Sequence, residues 1–158
     1  MLPKGVKVAK PRVYIETTVI SYLASKPSRD LVVAAHQQVT AEWWETVLPK
    51  LEPFVSPIVI EEVGRGDKEA AARRLSRIET FGILEVTGEV RDLAESYFGQ
   101  IEIPEKARAD AFHLALAAFH GMDLLVSWNF SHILAPRMRA VIEELNRERG
   151  IATPVRPL

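Results

Sequence analysis

Four short apolar runs in this chain carry no polar alternation, and helical patterns lie between them. The runs are Val13-Tyr14-Ile15, Phe54-Val55-Ser56, Ile83 to Val86 and Leu124 to Ser127. A strand wetted on one face alternates polar and apolar residues, whereas a strand covered on both faces reads as a continuous apolar run. Short strands of the second kind, alternating with helices, predict an α/β chain. The expected architecture is a three-layer α/β/α sandwich around a central, mostly parallel sheet of about four or five strands. A length of 158 residues suits one such domain. Residues 1–11 read as a flexible N-terminal arm, and 12–158 as the single domain.

Local signals place the helices. Thr17 to Ala24 follows the first strand. Ser28 is a plausible N-cap for a helix from Leu31 to Leu48, in which Val32, Ala35, Val39, Trp43 and Val47 recur at three- and four-residue steps. Pro57 begins a short helix carrying Glu61 and Glu62, stopped by Gly64 and Gly66. Asp67 can cap Lys68 to Thr80, and Thr87 can cap Glu89 to Gln100. Glu105 to His120 is closed by Gly121, and Pro136 and Gly150 bracket a last helix. Ile151 to Val155 reads as a short edge strand, where proline is tolerated.

Composition excludes several chemistries. The chain has no cysteine, which removes disulfides, zinc–thiolate sites and thiol nucleophiles. Net charge is −1, so any nucleic-acid contact needs a local basic patch rather than bulk charge. Met1 to Arg12 shows no apolar signal segment, and no apolar stretch is long enough to span a bilayer, so the default expectation is a cytoplasmic protein.

Three carboxylates stand where an open α/β sheet gathers ligands, outside the carboxyl ends of its strands. Glu16 follows the first strand, and Thr17 and Thr18 can hydrogen-bond it or the free helical N–H groups beyond it. Its ordinary structural role would be to favour a helix dipole. Glu62 lies six residues after Ser56, on the short helix. Glu61 is about 100° away round that helix, so only one of the two can face the crevice. Asp110 opens a helix that is apolar nearly all round, from Ala109 to Phe119. Such a helix is buried, and an acid within it needs a partner. His113, one turn on, can share its face. Asn129 lies just past the fourth strand, where it can coordinate a hard cation or a phosphate, or simply end the strand as a turn residue. A cluster of acids in a crevice is costly without a cation, which points to a divalent-metal site. His113, His120 and His132 lack the spacing of a zinc triad. Tyr22, Trp43 and Trp44 read as packing or subunit-interface residues.

Taken together, these pieces resemble the PIN domain, in the VapC-like group of toxin–antitoxin ribonucleases. The resemblance runs from Arg12 to Leu158 and rests on Val13-Tyr14-Ile15-Glu16-Thr17-Thr18-Val19, Ser56 to Val63, Ala109 to Ala115 and Leu125 to Phe130. No single piece is specific, but their order and spacing together are. The resemblance implies a PIN-like sandwich and hydrolysis of RNA phosphodiester bonds by a Mg²⁺- or Mn²⁺-dependent endoribonuclease. It also implies the toxin of a toxin–antitoxin pair, with single-stranded or structured RNA as substrate and a small antitoxin as partner. By position Glu16, Glu62 and Asp110 match the metal-ligating acids, with Glu62 chosen over Glu61 because an aliphatic residue, Val63, follows it. Asn129 stands at a fourth catalytic position that many members fill with Asp. Thr18 and Ser127 match supporting positions. The chain departs from the pattern twice, with Glu16 for the usual Asp and Asn129 for the fourth acid.

An acidic floor that receives a polyanion needs basic side chains nearby. The candidates are Arg65, Lys68, Arg73, Arg74 and Arg77 on one side and Lys106 and Arg108 on the other. Trp43 and Trp44 on the long helix suggest a homodimer or an antitoxin contact. Two rival readings are a catalytically weak or inactive PIN-like module that binds RNA or a partner protein, favoured by Asn129, and a phospho-acceptor receiver domain. The latter is disfavoured because the first and fourth strand ends carry Glu16 and Asn129 rather than an Asp to phosphorylate.

Overall fold

The structure, a computed structural model, describes residues 9–100, 108–129 and 136–153. Strand β1 (Arg12–Ile15) leads into helices α1 (Thr17–Ala24) and α2 (Leu31–Thr46). A 3₁₀ turn, Leu48–Lys50, then precedes β2 (Glu52–Val55). Helices α3 (Pro57–Val63) and α4 (Lys68–Ile78) connect to β3 (Gly82–Ile83). Helices α5 (Gly88–Gln100) and α6 (Arg108–Phe119) precede β4 (Leu124–Val126), and α7 (Pro136–Glu148) follows.

The sheet has strand order β3-β2-β1-β4 with every pairing parallel. From β1 the chain steps outward to β2 and β3, then returns to add β4 on the other side of β1. Right-handed crossovers put helices from opposite steps on opposite faces of the sheet. Accordingly α1 packs on α2, α3 and α4, while α5 packs on α6 and α7. Helices from the two layers diverge at the carboxyl ends of β1 and β4, which opens a crevice there. The register Ile15↔Val126 brings those two ends level. The next ladder bond, Glu16 N–H to the Val126 carbonyl at 3.1 Å, carries the pairing one residue further.

Several expectations change in three dimensions. On α2 the stripe Val32, Ala35, Val39 and Val47 faces outward, with Val32 66% exposed. The inward face runs instead through Val33, His36, Gln37 and Thr40 and is mostly polar: Gln37 and Thr40 have bonding partners on neighbouring segments, and the His36 ring stacks on Trp128 with centroids 4.2 Å apart. Gln37 reaches Ser25 Oγ at 2.7 Å and the Lys26 carbonyl at 3.0 Å. Thr40 Oγ1 accepts from Trp128 Nε1 at 2.9 Å. Trp43 and Trp44 are half-buried against the core, and Leu31, Val32, Val39 and Val47 are the exposed apolar side chains of this region. The N-cap of α2 is Asp30, which accepts from Val32 N and Val33 N, while Ser28 Oγ accepts from Asp30 N.

Strand β3 is only two residues long. A Cβ at Gly82 would lie 2.5 Å from the Phe54 ring, so glycine is required for the strands to meet there. Ile151 to Thr153 forms no strand. Its backbone is instead drawn to α7, with Ile151 N bonding the Asn146 carbonyl and Asn146 Nδ2 bonding Thr153 Oγ1. The rest of that expected strand, together with Lys106 and His132, lies outside the described residues. Among the described residues no helix is long and apolar enough to cross a membrane.

Candidate active site

The crevice at the ends of β1 and β4 is a cavity of about 530 Å³. Its lining includes Glu16, Glu62, Asp110, His113 and Asn129, with Thr17 and Thr18. Among the described residues no lysine or arginine lines it.

Glu16 is buried and acts as the N-cap of α1. Its Oε2 receives three donors: Thr18 N at 3.0 Å, the Thr18 hydroxyl, and Ser127 Oγ at 2.7 Å. Both hydroxyls are themselves held by backbone N–H groups past β4. Trp128 N donates to Thr18 Oγ1 at 3.0 Å, and Asn129 N donates to Ser127 Oγ at 2.9 Å. Charge-assisted bonds of this kind are stronger than neutral ones. They consume one carboxylate oxygen, and among the described residues no donor takes Oε1.

Glu62 and Glu61 point in different directions. Glu61 is exposed and pairs with Arg65 at 2.6 Å, one turn along the helix. Glu62 lines the cavity and accepts from His113 Nε2 at 3.0 Å. Burial, the largest single influence, opposes its ionisation, but the hydrogen bond and charge of His113, with smaller help from Thr17 and Arg65, together hold its carboxyl below the usual range.

Asp110 lies in the first turn of α6, buried. Burial, followed by the negative charge of Glu16 and, with His113 opposing, of Glu62, pushes its carboxyl up to about 6. Such mutual repulsion means that the three acids feel one another across the cavity. His113 bonds Glu62 rather than Asp110, although the two share the α6 sequence. Asn129 stands exposed at the cavity mouth, with its backbone anchored to Ser127.

The donor set suits a hard divalent cation, since it offers carboxylate and amide oxygens and no soft ligand. Among the described residues no group of three or more acidic or histidine side chains is gathered closely enough to hold a metal ion. What fits a metal is the chemistry of the donor set: three carboxylates and one amide oxygen on a single cavity wall.

The basic candidates occupy varied environments. Arg65 is paired with Glu61, and Arg74 spans the end of α3, donating to the Val63 carbonyl at 2.7 Å and the Arg65 carbonyl at 2.6 Å. Arg108 lies over the Phe98 ring at 5.1 Å. Lys68, Arg73 and Arg77 are exposed on α4.

One residue of the site was not singled out from the sequence. Tyr14 is fully buried in β1, and its hydroxyl lies 2.6 Å from His113 Nδ1 and 2.8 Å from Ser56 Oγ. Burial pushes its phenol far above the ordinary range. A tyrosine within an otherwise aliphatic strand was the available signal for it. Of the two threonines expected to bond Glu16, Thr18 does, while Thr17 Oγ1 lies buried on the cavity wall and makes no bond to Glu16.

No protein-family model and no curated protein sequence matches the chain. Solved structures do. A toxin–antitoxin complex from Klebsiella pneumoniae superposes with a TM-score of 0.58 at 17% identity, over 78% of this chain and 92% of that one. Mycobacterium tuberculosis VapC20, described as a Sarcin-Ricin loop cleaving toxin, superposes with a TM-score of 0.60 at 18% identity. That match covers 78% of this chain and 95% of the other. At these identities the likeness is one of fold alone: with its parallel β3-β2-β1-β4 sheet between two helix layers, the chain has an α/β, PIN-like fold similar to that of these two structures.

Proposed function

We propose that this protein is a metal-dependent endoribonuclease that hydrolyses RNA phosphodiester bonds, the toxin of a toxin–antitoxin pair, with residues 12–158 as its single catalytic domain. The observation that carries the reading is the cavity itself: Glu16, Glu62 and Asp110 line one crevice, no lysine or arginine lines it among the described residues, and Asp110 is pushed up to about 6 by burial and by the other acids. A Mg²⁺ or Mn²⁺ ion bound there would supply Lewis-acid stabilisation of phosphoryl charge and a water of lowered pKa.

The chain's own residues set the rest. Thr18 and Ser127 hold Glu16 on one oxygen, so its orientation is fixed before any ligand arrives. Glu62 is kept ionised by His113. Asp110, on the cavity wall with the other two acids, is the group we assign to accept a proton from an attacking water. Asn129 at the mouth adds an oxygen ligand without charge. Exposed Lys68, Arg73 and Arg77 offer the nearby positive surface that a polyanion requires. In this reading a small antitoxin is the protein partner, in keeping with the toxin–antitoxin complex whose fold this chain matches.

The test is cleavage of single-stranded and structured RNA by the purified chain with Mg²⁺, with Mn²⁺ and with excess chelator, beside Asp110→Ala. Metal-dependent cleavage lost in the variant supports the reading. A wild-type protein that binds RNA but cleaves none under any metal condition replaces it with the inactive-module reading.

A further inference from the structure

Five groups between α3 and α6 form one hydrogen-bonded series across the interior. Val59 N lies 3.3 Å from Ser56 Oγ, Ser56 Oγ 2.8 Å from Tyr14 Oη, Tyr14 Oη 2.6 Å from His113 Nδ1, and His113 Nε2 3.0 Å from Glu62 Oε1. The first link and the last have fixed senses: a backbone N–H can only donate, and an ionised carboxylate can only accept. With a neutral imidazole one arrangement of protons satisfies every link, since Nδ1 must then accept while Nε2–H donates. Val59 N–H donates to Ser56, the Ser56 O–H to Tyr14, the Tyr14 O–H to His113 Nδ1, and His113 Nε2–H to Glu62. A series in which every donor points the same way polarises each bond in turn, and it does so most strongly in a dry interior. Ser56, Tyr14 and His113 are all fully buried, with His113 1% exposed.

The geometry points to His113 as a positioning residue: anchored through Tyr14 and Ser56, it is held as the Nε2–H tautomer and aims one oxygen of Glu62, leaving the other for the cation. The inference rests on the metal-site reading above and adds to it a residue outside the acids. A metal-ligating carboxylate is itself normally oriented by a hydrogen-bond partner, and loss of such a partner typically weakens metal affinity by ~10–100-fold. Sequence spacing pairs His113 with Asp110 on α6. The fold instead turns its ring toward α3, so that one helix supplies an acid and the device that orients a second acid on another helix.

The experiment is a Mn²⁺ titration of the full chain without RNA, followed by the electron-spin resonance of free Mn²⁺. It is run on wild type, Tyr14→Phe, His113→Leu and His113→Gln, each with a thermal unfolding curve. His113→Leu is expected to weaken Mn²⁺ binding by ~10–100-fold, and His113→Gln, whose amide N–H can stand near the former Nε2, to recover most of the loss. Tyr14→Phe keeps the shape of the strand and is expected to weaken binding by a smaller factor, which decides the matter if His113→Leu does not fold. In ¹⁵N spectra, His113 should show a protonated Nε2 and an unprotonated Nδ1, a signature that simple core packing would not impose. Wild-type binding matched by Tyr14→Phe and His113→Leu, or a protonated Nδ1 with a bare Nε2, overturns the positioning role alone. A wild type that binds no Mn²⁺ overturns the metal-site reading and the positioning role with it.

Discussion

Ser127 Oγ donates to Glu16 Oε2 across 2.7 Å, and this bond ties together the carboxyl ends of two adjacent parallel strands that are 111 residues apart in sequence. It closes the crevice floor where β1 and β4 part. It also fixes Glu16, whose side chain is a methylene longer than aspartate and correspondingly freer. Loss of a buried bond to a charged group costs about 1.5–3 kcal/mol. Ser127→Ala is therefore expected to lower stability by that amount in chemical denaturation and to weaken Mn²⁺ binding. Unchanged stability would mean that Thr18 alone holds Glu16.

Asp110 yields a pH prediction for the cation-free protein. Its folded carboxyl is pushed up to about 6 from an ordinary 3.8, so the folded state binds a proton there more tightly than the unfolded chain. Stability from this group is therefore greatest at low pH, falls as pH rises from about 4 to about 6, and is fully lost above that. Asp110→Asn removes the repulsion. At pH 8 without metal it should melt higher than wild type by a few degrees, on the order of 2–4 °C per kcal/mol for a chain of this size. The two melting curves should converge near pH 4, and Mn²⁺ binding should be lost in the variant at every pH. A variant that melts lower than wild type at pH 8 would mean that Asp110 is stabilising in its ionised form.

Glu61 and Glu62 are adjacent in sequence but opposed in space. The Glu61–Arg65 pair is exposed and one helical turn long, a kind of pair worth about 0–1 kcal/mol. Glu61→Gln should leave both Mn²⁺ affinity and RNA cleavage near wild type. Glu62→Gln should abolish both while the protein stays folded, as read by circular dichroism. The reverse pattern would place the metal on the other side of α3.

Asn129 marks the least charged side of the cavity. Ion affinity at such a site rises with the number of charged ligands. Asn129→Asp is therefore expected to tighten Mn²⁺ binding several-fold and to raise cleavage. Asn129→Ala should raise KM for RNA more than it alters the melting temperature. Equal Mn²⁺ affinity and cleavage in all three proteins would reduce Asn129 to a turn residue.

The α/β class was legible in the sequence because both-face burial of a parallel strand demands an unbroken apolar run, and that demand is local. Helix starts at Pro57, Asp67 and Thr87 were legible for the same reason: Ser56, Asp67 and Thr87 each bond an N–H only three residues on. The parts that depend on distant partners were not legible. The inward face of α2 could not be read from its valines, because the polar residues that face inward are satisfied by Ser25 and Trp128, which local periodicity does not contain. The close approach of the Phe54 ring to Gly82 across the sheet could not be read locally either. Glu62 is chosen over Glu61 only through the resemblance, by the aliphatic Val63 that follows it; the physical reason, Glu62 on the cavity wall beside His113 and Glu61 paired with Arg65 on the surface, lies in the tertiary structure. The Tyr14–His113 bond joins residues 99 positions apart. A hydrogen bond needs its atoms within about 3 Å and correctly aimed. Short-range sequence preferences select the elements, but only the packed tertiary structure brings a tyrosine of the first strand to a histidine of the sixth helix.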